Sequence, residues 1–153
     1  MKTILLISAM CVVGFTTLAQ DAITDDELNR YAVAMDSINE MSAAVKEMIT
    51  DLVKNSKVVS AARYNELSKI SNDEAALAAA NATPEEIAFV KDLAEKRESA
   101  TVKINQAVQS LAKDYVGAAT FNKVRKALST DTALKAKYDA LMSELAKDNP
   151  GVQ

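Results

Sequence analysis

The sequence predicts an all-α fold, an antiparallel helical bundle built from two tandem copies of one long helix plus two short helices. Three observations predict it. Among 153 residues only 3 are Gly and 2 are Pro, too little punctuation for the tight turns of a sheet protein. Apolar residues recur in alternating steps of three and four over two long stretches, the spacing that lines one face of a helix. The chain also repeats itself. Tyr64, Asn65, Leu67 and Leu77 return as Phe121, Asn122, Val124 and Leu134, at a constant offset of 57.

The first element is an address rather than part of the fold. Lys2 gives a positive start, Ile4 to Phe15 is a mostly apolar run, and Thr17-Leu18-Ala19 offers the small residues that a signal peptidase reads. The run is about a dozen residues, whereas a bilayer span needs about 20, so a retained anchor is the weaker reading. Lipid attachment at Cys11 fails because Met10, not a small residue, precedes it and the apolar run continues past it. The expected organisation is a signal peptide at 1–19 and a single all-α domain at 20–153. This places the protein in the periplasm or outside the cell, with no stable membrane span once the signal is cleaved. Cleavage removes the only Cys, so no disulfide is available even in an oxidising compartment. It also removes Lys2 and leaves the chain slightly more acidic than its full net charge of −3. A mildly acidic chain without a basic block is a poor partner for nucleic acid.

The first long helix is expected over about 24–55. Thr24-Asp25-Asp26-Glu27 fits a capping box, in which the Thr oxygen and the Glu carboxylate each satisfy a backbone N–H of the other. Leu28, Tyr31, Met35, Ile38, Val45, Ile49 and Leu52 then form a stripe interrupted only at Ser42. At ~1.5 Å per residue this rod is roughly 48 Å long, and it needs a partner of similar length to cover its stripe. Thr83-Pro84-Glu85-Glu86 starts that partner: Thr caps, Pro suits the first turn and the acids favour the positive end of the dipole. Its stripe is Ile87, Val90, Ala94, Ile104, Val108, Leu111 and Tyr115, with Arg97 and Thr101 midway. Arg97 either lays its stem on the core with its head in water or pairs with an acid such as Asp36 or Glu40.

Two shorter segments come after each rod. The first pair starts at Ser60-Ala61-Ala62-Arg63 and Ser71-Asn72-Asp73-Glu74. The second starts at Gly117-Ala118-Ala119-Thr120 and Leu128-Ser129-Thr130-Asp131, and its terminal helix runs over about 131–147 until Asn149-Pro150-Gly151 stops it. The rods align at an offset of 59, pairing Thr24 with Thr83, Leu28 with Ile87 and Ile49 with Val108. The repeat units are therefore 24–82 and 83–147. Gly117 stands where the first copy has Ser60, so the second short helix is expected to lack a side-chain cap.

Three segments stand in a fixed order: Asp25-Asp26-Glu27-Leu28-Asn29-Arg30-Tyr31-Ala32, then Ser60-Ala61-Ala62-Arg63-Tyr64-Asn65-Glu66-Leu67, then Phe121-Asn122-Lys123-Val124 leading into Ser129-Thr130-Asp131-Thr132-Ala133-Leu134. Together they resemble a bacterial secreted family known as domain of unknown function 4168. The resemblance implies a signal-bearing, helical envelope or secreted protein of unassigned activity, and it brings no catalytic residues.

The residue inventory points away from catalysis. The chain has no His, and its mature part no Cys, so nucleophilic triads and most metal sites lack their groups. A carboxylate pair of the glycosidase kind is formally open, but Asp25, Asp26, Glu85 and Glu86 sit at helix starts, where capping explains them. No Gly-rich phosphate loop and no calcium loop is present; Ser71-Asn72-Asp73-Glu74 and Ser129-Thr130-Asp131 read as helix caps. No cofactor is expected. The expected function is a non-enzymatic interaction protein of the envelope, with a protein partner. The alternative is a carrier holding a small apolar ligand or lipid between its helices, to which the adaptable Met35, Met41, Met48 and Met142 lend themselves. The candidate groove residues are Tyr64, Asn65, Phe121 and Asn122. Either each aromatic plugs a bundle end and each Asn bonds the connecting backbone, or the two pairs line one shared groove.

Overall fold

The structure, a computed structural model, describes residues 22–148; the signal peptide expected at 1–19, with Lys2 and Cys11, lies outside them. Six α-helices and one π-helical turn account for the fold, and no strand occurs among the described residues.

Helix α1 spans Asp25–Lys54. Its capping box forms as the sequence predicts: the Glu27 N–H donates to Thr24 Oγ1 at 3.1 Å, and the Thr24 N–H donates to Glu27 Oε2 at 2.9 Å. Helix α2, Ala61–Leu67, is capped by Ser60, which accepts the Arg63 N–H at 3.2 Å. Helix α3, Glu74–Ala79, is capped by Asp73. Helix α4, Pro84–Ser110, repeats the box of α1 with Thr83 and Glu86. It runs into a π-helical turn, Leu111–Tyr115, closed by the Val116 N–H on the Leu111 carbonyl at 2.9 Å. Gly117, at φ +89°, starts α5, Ala118–Leu128, without a side-chain cap, the consequence expected of Gly at that position. Helix α6 spans Thr132–Asp148, and Asp131 Oδ1 accepts the N–H groups of Ala133 and Leu134, each at 2.9 Å.

The core falls into two clusters. One joins Ile49 and Val53 of α1 to Tyr64 and Leu67 of α2, Leu77 of α3, and Val90 and Leu93 of α4. The other joins Leu28, Tyr31 and Ala34 of α1 to Val116 and to Val124 of α5, with Phe121, Leu134 and Tyr138 packed against it. The end of α1 thus lies with the start of α4, and the start of α1 with the residues beyond the end of α4. Leu28, Leu67 and Leu93 are almost wholly buried, and each such side chain contributes about 1.5–3 kcal/mol of transfer free energy.

Four expectations need correction. Val53, not Leu52, faces the core: Leu52 is 37% exposed and Val53 only 7%. At 3.6 residues per turn, Val53 lies about 20° from the direction of Leu28 and Leu52 about 120° away. A strict alternation of three and four drifts off the buried face over this length. Leu93 likewise replaces Ala94 in the core of α4. The second rod does not continue as α-helix to Tyr115. The π turn inserts one residue into the register, so Val116 turns inward and Tyr115 stands 43% exposed. Finally, the last helix spans Thr132–Asp148, as its expected bounds of about 131–147 require, but at 17 residues it is not one of the two short helices of the repeat description, and it lies along α1.

Candidate functional site

Halfway along the two rods the apolar stripes break, at Ser42 in α1 and at Arg97 and Thr101 in α4. Small or polar side chains there cannot fill the space between helices, and a groove of about 1000 Å³ opens, at the upper end of the usual range for small-molecule sites. One face of α1 supplies its first wall through Val45, Ile49 and Val53, spaced by four so that they stack along the helix. The opposite wall is α4, with Thr101 and Ile104. The loop after α1 and helix α2 close one end through Val59, Tyr64 and Asn65.

Of these lining residues Ile49, Val53, Val59 and Tyr64 are buried. Lys46, Lys54 and Arg97 are exposed and stand around the mouth. Arg97 Nη2 donates to Tyr64 Oη at 3.1 Å. The alternative of a buried pair with an acid such as Asp36 or Glu40 does not hold, because Arg97 is exposed.

Two of the four sequence-derived residues, Tyr64 and Asn65, line the groove. The structure does not bring Phe121 and Asn122 to them. Phe121 packs in the second cluster, its ring 4.9 Å from that of Tyr31, which also lies 5.8 Å from Tyr138. Asn122 is exposed, donates to the Ala118 carbonyl at 3.0 Å and accepts from Arg125. Its bonds thus stay inside its own helix rather than reaching a connecting loop. A single groove shared by both pairs is ruled out by their membership of different clusters.

The carboxylates at the helix starts are engaged structurally. Arg63 grips Glu86 through Nε and Nη2, both at 3.0 Å, and also reaches Glu66 and the Ala80 carbonyl. The Arg63 hydrogen bonds, then the Thr83 N–H, hold the Glu86 carboxyl below the usual carboxylate range. Lys123 bonds Glu27 at 3.2 Å. The Thr24 N–H first, then Lys123, hold the Glu27 carboxyl low. Burial pushes the Tyr31 and Tyr138 phenols up. These ion pairs are not legible in the sequence, because both acids already have an explanation as caps. Among the described residues no group of three or more His, Cys, Asp or Glu is arranged to hold a metal ion, and no helix is long and apolar enough to cross a membrane.

Comparison with protein-family models, with curated proteins and with solved structures gives no match to this chain.

Proposed function

We propose that this is an exported, non-enzymatic binding protein whose groove between α1, α2 and α4 holds a small apolar ligand. The observation that carries the reading is the groove itself: a large concave space lined in part by buried Ile49, Val53, Val59 and Tyr64. Export rests on the Lys2, Ile4–Phe15 and Ala19 pattern. It agrees with the resemblance to the secreted family, and together they favour the periplasm or the outside of the cell.

The bundle is proposed to be a duplicated, antiparallel pair of units, 24–82 and 83–147. The two clusters support this residue by residue. Leu28, Tyr31 and Ala34 stand where Ile87, Val90 and Leu93 stand, at an offset of 59. Val59, Tyr64, Leu67 and Leu77 correspond to Val116, Phe121, Val124 and Leu134, at an offset of 57. In this reading each cluster combines the short helices of one copy with the start of the long helix of the other. The ion pairs repeat the exchange: Arg63 of the first copy holds Glu86 of the second, and Lys123 of the second holds Glu27 of the first. Ser42 and Thr101 are equivalent, as are Val45 and Ile104, so the groove straddles the joint between copies. The copies differ in their last helix, 6 residues in α3 against 17 in α6, and α6 lies along α1.

A neutral solvatochromic dye such as Nile red tests the groove. One dye per chain with a blue-shifted emission is expected, together with its loss in Val45→Trp, which fills the groove from a half-buried position while leaving the thermal midpoint within a few degrees. No uptake, or uptake undiminished in Val45→Trp, would remove the reading.

A second reading, a protein partner in the envelope, draws on Met48 and Leu52, exposed one turn apart on α1, and on exposed Val58 just beyond it. Cross-linking in envelope extract separates it; no partner enriched at any salt concentration counts against it.

A further inference from the structure

The lining of the groove carries a charge pattern at odds with the rest of the chain. Acidic residues outnumber basic ones overall, 21 to 18, yet all three charged residues that line the groove are cations, Lys46, Lys54 and Arg97. A site for a wholly apolar molecule has no use for three cations among its lining residues. An anion does.

Arg97 gives the pattern a focus. Its guanidinium has five N–H donors, and the hydrogen bond that joins it to the groove wall is the one to Tyr64 Oη. The phenol accepts that bond through an oxygen lone pair, so its O–H remains a donor at the same point. Two donors of different kinds, a planar fork and a hydroxyl, therefore meet at one point on the groove wall. Ile49 and Val53 line the same groove. A fork of this shape matches the two oxygens of a carboxylate better than a point charge does. From Ser42 to Lys54 the α1 wall extends ~18 Å, room for one extended hydrocarbon chain.

We infer that the ligand is a long-chain fatty acid anion, its carboxylate held by Arg97 and the Tyr64 hydroxyl and its chain laid along α1 over Ile49 and Val53. Lys46 and Lys54 raise the local anion concentration at the mouth. The inference rests on the proposed apolar-ligand groove and adds the head group to it.

Calorimetric titration of the purified chain with palmitate and with the matched alcohol, hexadecanol, tests both levels separately. Palmitate is expected to bind one per chain and at least tenfold more tightly than the alcohol. Arg97→Met is expected to abolish that preference, weakening palmitate at least tenfold and leaving the alcohol unchanged. Arg97→Lys, which keeps the charge and loses the fork, is expected to fall between. Arg97 is exposed, so both variants are expected to fold, and circular dichroism verifies it. Equal affinity for acid and alcohol, or an Arg97→Met protein that still prefers palmitate, overturns the head-group assignment and leaves the apolar groove standing. Failure of both ligands overturns the groove with it. An acidic amphipathic peptide that binds where palmitate does not also overturns the inference, in favour of a protein partner.

Discussion

At the scale of single residues, two glutamates do two jobs each. Glu27 and Glu86 cap their own helices and also accept a cation from a helix far away in sequence, Lys123 and Arg63. Both carboxyls are held below their ordinary range, so on the acid side the unfolded chain binds more protons than the folded one. Their contribution to stability is complete above the ordinary carboxylate range. It is lost as pH falls through the lowered folded values. Glu86→Gln is expected to lower the thermal midpoint by several degrees at neutral pH and to flatten its acid decline. Glu27→Gln is expected to do the same more weakly, since one ammonium replaces a two-pronged guanidinium. Thermal melts across the acid range check this; an unchanged acid limb in Glu86→Gln would contradict it. Half of each arrangement is readable from the chain. Thr with Glu three residues later announces a cap, whereas nothing in the spacing of Arg63 and Glu86 announces a pair across 23 positions.

At the scale of elements, sequence periodicity locates every helix and misplaces some of the faces. Caps are local, so Thr24, Ser60, Asp73 and Thr83 are readable, as is the bare start at Gly117. The π turn at Leu111–Tyr115 is not local in that sense. It leaves the apolar pattern intact and shifts the register of the next residues by one position, and Val116 gains the burial that Tyr115 forgoes. This register makes a sharp prediction. Val116→Asp places a carboxylate at a 5% exposed site beside Leu28 and Tyr31. It is expected to destabilise by about 3–5 kcal/mol, the range for an uncompensated buried charge. Tyr115→Asp, one residue earlier, is expected to stay within about 0.5 kcal/mol, as exposed substitutions do. Urea titrations of the two variants check the difference, and comparable destabilisation by both would return the rod to a continuous α-helical register. The groove is half readable for a related reason. Ser42 and Thr101 break the two stripes at equivalent positions, the signature of a gap between rods. Only the packing shows that Tyr64 lines that gap while Phe121 packs on Tyr31 in the second cluster.

At the scale of the whole molecule, the proposed duplication has a consequence for folding. If each copy kept its own core, either half would fold alone. Here the first cluster needs Val90 and Leu93 from 83–147, and the second needs Leu28, Tyr31 and Ala34 from 24–82. Cutting between Ala82 and Thr83 therefore divides both clusters and both cross-copy ion pairs, Arg63 with Glu86 and Lys123 with Glu27. Each fragment keeps its caps, but a long helix with an uncovered apolar stripe gains little from caps, since packing supplies most of the stability of helices in proteins. The two fragments are expected to show no cooperative melting as monomers. Mixed in equal amounts, they are expected to recover a 1:1 complex with the helical content and sharp transition of the intact chain. Its midpoint should depend on concentration, because association replaces a covalent connection. Circular dichroism melts and sedimentation of the separate and mixed fragments decide the matter. A fragment that melts cooperatively as a monomer would show that one copy shields its own stripe, and the reciprocal assembly on which the open groove depends would have to be abandoned.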